Sequence, residues 1–101
     1  MPAGAPGTVL SAFDYEAAGE AASSLGHAGN RVEIALAALR GCGSGDPARQ
    51  ERVSEAAIAV YHYFIQREIM GMRRHEGVIR EYAIPGEVLV RLGAIERKDT
   101  R

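Results

Sequence analysis

Residues 56–72, Ala56-Ala57-Ile58-Ala59-Val60-Tyr61-His62-Tyr63-Phe64-Ile65-Gln66-Arg67-Glu68-Ile69-Met70-Gly71-Met72, hold the longest apolar run of the chain, broken by Gln-Arg-Glu. On a helical wheel of about 100° per residue, Val53, Ala57, Val60, Phe64 and Gly71 form one stripe. Tyr61, Met72, Ile65, Ile58 and Ile69 form a second stripe, about 110° from the first. Ala56, Tyr63 and Met70 extend the apolar surface on the other side, which leaves the sector of Glu55, His62, Gln66 and Arg73 for water. A helix apolar over about two-thirds of its circumference needs more than one neighbour. The expectation is a homodimer with this helix near the two-fold axis, a compact monomer being the alternative.

The rest of the chain supplies the first neighbours. Ser11 with Asp14 three positions later starts a helix near Ala12 by a capping box, with Leu10 placed to staple onto Tyr15. Gly26-His27-Ala28-Gly29-Asn30 would interrupt that helix, because each interior glycine costs about 1 kcal/mol. The apolar phase nevertheless continues: Ala18, Leu25, Val32 and Leu39 recur every seven residues, where a loop would reset them. One long helix over 12–40 is predicted, loosened or kinked around Gly29.

Gly41-Cys42-Gly43-Ser44-Gly45 is a turn, after which Asp46 as N-cap and Pro47 as first residue open a second helix running to Arg73 or His75. Two helices of roughly 40 Å joined by a short loop make an antiparallel hairpin. Val78, Ile79 and Tyr82 mark a brief third helix. Pro85 starts a fourth with Val88, Leu89 and Leu92 inward, capped by Gly93 with Ile95 folded back on it. The fold class is all-α: a long antiparallel helical hairpin plus two short C-terminal helices, forming a dimeric helical bundle. Residues 1–10 read as a flexible leader, 11–95 as a single helical domain and 96–101 as a charged tail.

Charge and cysteine content narrow the function. The formal net charge is −1, and residues 46–101 carry nine acidic against ten basic groups, so neither half offers the positive field that a phosphate backbone needs. A single cysteine, Cys42, excludes an internal disulfide and fits a reducing cytoplasm. There is no signal-peptide pattern and no run near the roughly 18 to 20 apolar residues that span a bilayer. The expected location is the cytoplasm.

Arg67 and Glu68 fall within the apolar arc of the wheel, so each needs a partner. Adjacent helical side chains do not face each other, so the partners come from elsewhere: Asp14 or Glu16 for Arg67, and Arg73, Arg74 or Arg80, from the same chain or across a dimer axis, for Glu68. The favoured reading is a structural ion-pair latch of Asp14, Glu16, Arg67 and Glu68. The alternative is a ligand-binding or enzymatic site around Arg67 and Glu68 with Tyr61 and His62.

Other chemistry is weaker. His27, His62 and His75 lack metal-ligand spacing, so neither a metal nor a cofactor is expected. Cys42 has no histidine near it in sequence, and the glycine turn lacks the Lys-Ser/Thr ending of a phosphate loop. Residues 77–92 have helix-turn-helix rhythm, but Glu87 near the second helix's start repels phosphate. That unit reads as a packing cap, with nucleic-acid binding as a further alternative.

Three segments resemble a known family: Phe13-Asp14-Tyr15-Glu16, Phe64-Ile65-Gln66-Arg67-Glu68-Ile69, and Val78-Ile79-Arg80-Glu81-Tyr82-Ala83-Ile84-Pro85-Gly86-Glu87-Val88-Leu89-Val90-Arg91-Leu92-Gly93. They are similar to short helical bacterial proteins, chiefly proteobacterial, grouped as a domain of unknown function. The resemblance implies a bacterial helical protein and brings no catalytic residue with it. It also implies that Asp14, Glu16, Arg67 and Glu68 belong to one constellation. The resulting expectation is a non-catalytic helical interaction protein acting as a homodimer.

Overall fold

A computed structural model gives residues 11–99; the leader of 1–10, with the proposed staple from Leu10, and the last two residues lie outside the described residues. Four helices occur in order: α1 (Ala12–Arg40), α2 (Arg49–Ile69), α3 (Glu76–Glu81) and α4 (Gly86–Asp99), with no strand among the described residues.

The capping box at the start of α1 is formed. The Asp14 amide donates to Ser11 Oγ at 3.1 Å, and the Ser11 amide to Asp14 Oδ2 at 3.2 Å. The helix runs unbroken through Gly26–Asn30, as the heptad phase predicts.

Three boundaries differ from expectation. Asp46 Oδ1 accepts from the Ala48 amide at 2.8 Å, closing a side-chain turn, and α2 begins only at Arg49. At its other end α2 stops at Ile69, short of Arg73 or His75. Gly71 adopts φ +91°, with Met72 N–H donating to Arg67 O at 2.9 Å and Gly71 N–H to Glu68 O at 3.0 Å. This is a Schellman stop, which a residue without Cβ enters without strain. The same motif ends α3, with Ala83 in the left-handed position at φ 53°. Gly93, in contrast, does not cap α4. The helix continues through it, so residues 96–99 form its last turn.

α1 and α2 pack antiparallel over Ala28, Val32, Leu36 and Leu39 on one side and Val53, Ala56, Ala57, Val60, Tyr63 and Phe64 on the other. Val78, Ile84, Val88 and Leu92 of the C-terminal half complete the core. Arg49 of α2 pairs with Glu87, and Arg91 donates to Ser54 and, at 2.9 Å, to Gln50. These contacts rise together in number, so α4 runs alongside α2 in the same direction. Arg40 Nη2 donates to the Tyr82 carbonyl at 2.9 Å and ties the end of α3 to α1.

Gly29 shows what the small residues of α1 are for. A Cβ there would stand 2.9 Å from the Tyr82 hydroxyl and 3.4 Å from Tyr63 Cε1. The bare backbone is the seat for two aromatic rings that meet edge to face at 5.6 Å between centroids. Burial is the main reason the Tyr82 phenol is pushed up to about 12; hydrogen bonding to Tyr63 and the field of Tyr63, Glu33 and Glu81 add to it.

The same contact sets the register of the hairpin. With Gly29 opposite Tyr63, the end of α2 at Ile69 is level with Ser23. Everything in α1 before that point overhangs, and every residue from Ser11 to Glu20 is exposed. The nine helical residues from Ala12 to Glu20, about 14 Å at 1.5 Å per residue, extend past the helix that supports the rest.

Gly26→Ala, with nothing within 4 Å of the new Cβ, is expected to raise stability in urea by about 1 kcal/mol. Gly29→Ala is expected to lower it, and less so in a Tyr82→Phe background that lacks the colliding hydroxyl; equal gains at both glycines would contradict the seat. Ultraviolet titration should show one tyrosine ionising near pH 12. A phenol raised from 10.0 contributes stability that is intact below pH 10 and lost as pH climbs through about 12. Four tyrosines all titrating near pH 10 would overturn this.

Candidate functional site

Early termination of α2 decides what surrounds Arg67 and Glu68. After the turn at Gly71 the chain doubles back and lays His75 flat on Phe64, 4.0 Å between ring centroids and 5° from parallel. Arg67 Nε donates to His75 Nδ1 at 3.2 Å, and Arg67 Nη2 to the Arg74 carbonyl at 2.7 Å. Because arginine only donates, Nδ1 is the acceptor, and the Nε2–H of His75 is left to donate to Glu68 Oε2 at 2.9 Å. The Arg67 guanidinium also lies over the Tyr63 ring, 5.9 Å from its centre. One neutral imidazole thus bridges Arg67 and Glu68, and the three clasp the elbow of residues 70–75 onto the last turn of α2.

Within one chain, the residues of the expected latch have other surroundings. Asp14 is bound to Ser11, and both Asp14 and Glu16 stand exposed on the overhang beyond the end of α2. Within one chain Glu68 accepts from His75, and it is exposed where the wheel placed it in the apolar arc. The wheel assumed that α2 continues past Ile69; with the helix ended there, water reaches Glu68. His75 is the residue that sequence reasoning missed. It lies in the link between α2 and α3, and only the turn at Gly71 brings it back onto Phe64.

The four candidate ligand residues are not brought together. Tyr61 packs half-buried against the core, and His62 is exposed with its ring centroid 5.9 Å from that of Tyr61. His62 belongs to a different feature, an open groove of about 760 Å³ between α1 and α2. It is lined by Glu20, Ser23, Ser24, His27, Ala28 and Arg31 of α1 and by His62, Ile65 and Gln66 of α2. Arg67 and Glu68 are not among its walls.

Among the described residues, no three His, Cys, Asp or Glu side chains gather as a metal site would require. In the helix-turn-helix-like unit, Arg91 turns onto α2 to meet Ser54 and Gln50, and Glu87 pairs with Arg49. Those side chains hold α4 to the bundle, as a packing cap does. No described helix is long and apolar enough to cross a membrane.

The chain belongs to DUF6665, a family of unknown function, whose match extends over residues 2–100. Neither a curated protein nor a solved structure matches it.

The geometry of the clasp sets the size of its effect. Because Glu68 is exposed, Arg67→Met strands no buried carboxylate, and the expected loss in urea denaturation is about 1–2 kcal/mol instead of the 3–5 of a broken buried pair. His75→Ala, which also removes the ring stack on Phe64, is expected to lose more. Losses below about 0.5 kcal/mol for both would show that the clasp holds nothing.

Proposed function

We propose that this protein works by interaction and not by chemistry, as a helical subunit that self-associates into a homodimer. The observation behind this reading is a set of uncovered apolar side chains on the side of the hairpin that holds the groove. Phe13, Glu20, His27 and Ile34 recur every seven residues and so share one stripe of α1. Glu20 and His27 of that stripe wall the groove opposite Ile65. On α2, Ile58 is two turns before Ile65 and Ile69 one turn after it. Phe13 is 75% exposed, Ile34 63%, Ile58 47% and Ile69 72%, which leaves large apolar side chains in water along the whole length of one side. Full burial of such a side chain is worth about 1.5–3 kcal/mol, enough for a handful of them to drive association.

Ile58, Ile65 and Ile69 of the wheel's second stripe are thus left exposed by α1 and α4, and we assign them to the partner copy. The ligand reading is not favoured, because the groove misses Arg67 and Glu68 and those two charges are engaged with His75. A half-buried lone Cys42 suits a bacterial cytoplasm, where we place the protein.

Light scattering at micromolar concentration should give a mass near twice 10.8 kDa. Ile58→Lys should reduce it to that of one chain while the helical circular dichroism stays unchanged. A monomeric mass for the unaltered protein would overturn the proposal.

A further inference from the structure

The uncovered side chains are spaced so that one copy matches a second. Phe13 and Ile34 lie 21 residues apart on α1, about 31 Å. A two-fold axis midway between them crosses α1 at Ser23 and Ser24. That is also the level of Ile69 at the end of α2, because Gly29 opposite Tyr63 sets Ile69 beside Ser23. We infer that the overhanging start of α1 docks in the α1–α2 groove of a second copy, antiparallel, with the two-fold axis at Ser23 and Ile69. The inference rests on the self-association proposed above and adds its register and its contacts.

The rotation brings Phe13 of one copy level with Ile34 and Ile58 of the other, since the same hairpin register puts Ile34 beside Ile58. All three are large, apolar and exposed. It also brings the two Ile69 side chains, 72% exposed, to the axis beside small serines that let the helices approach closely.

Charge points the same way. From Ala12 to Asn30 α1 carries Asp14, Glu16 and Glu20 and no lysine or arginine. The same rotation sets Glu16 level with Arg31 of the second copy, an exposed arginine on the groove wall, and Glu20 level with His27. An acidic arm therefore meets the groove at Arg31, and the match is reciprocal, as a two-fold interface requires.

The remaining observation is the arm itself. Isolated helices shorter than about 12–15 residues are marginal in water, and no described residue of the chain buries the segment from Ser11 to Glu20. A second copy supplies the missing surface.

The test places single cysteines in a Cys42→Ser background, with mass measured by light scattering beside oxidative cross-linking. Ser23→Cys, at the axis, should link two copies quantitatively. Ala38→Cys, on the groove side but about 40 Å from its mate, should not. Glu16→Arg should weaken association about tenfold, and adding Arg31→Glu should restore it. A dimeric mass without cross-linking at Ser23, or without rescue by the paired reversal, overturns the arm-in-groove register and leaves self-association standing. A monomeric mass overturns both.

Discussion

The seam between α1 and α2 is the contact on which everything else in the molecule depends. Val32, Leu36 and Leu39 meet Val53, Ala57 and Val60 with essentially no exposure to water, which fixes the two helices antiparallel and in register. At the far end of that seam the side chains of α1 shrink to Ala28 and Gly29, and the space goes to Tyr63 and Tyr82. Helices packed this way are interior-like in density, so a single methyl at Gly29 is felt by the ring above it. The register in turn decides which residues of α1 have a neighbour and which overhang.

The elbow between α2 and α3 is a second, local constraint that follows from the first. Gly71 ends α2 in a left-handed residue, and the returning strand of chain is fastened by His75 between Phe64, Arg67 and Glu68. That fastening uses up the charges that looked most like a site. Arg67 and Glu68 are a helix-end clasp. Beside it lie the open groove and the exposed start of α1.

Much of this was legible in the residues. Ser11 and Asp14 marked the start of α1, and the seven-residue repeat from Ala18 to Leu39 carried the helix through two glycines because phase outweighs local propensity when a whole face is buried. The inner face of α2 was legible for the same reason. Its end was not: Met72 keeps the apolar phase, and only the left-handed backbone at Gly71 shows that the helix has stopped. Gly93 failed in the opposite sense. A glycine before Ala94 and Ile95 resembles a cap, but the helix passes through it and buries half of both neighbours. The partners of Arg67 could not be read from the wheel, since they lie across a reversal of the chain. The overhang needs the register, which the tyrosine pair on Gly29 supplies.

The central claim is that residues Ser11–Glu20, exposed among the described residues of one chain, are covered by a second. Amide hydrogen exchange across that arm, measured over a range of protein concentrations, tests it most directly. The account predicts that the amides of the arm are protected at high concentration and lose protection on dilution, while those of Val32–Leu39 in the seam stay protected throughout. Exchange in the arm that is fast at every concentration, or slow at every concentration, would contradict it.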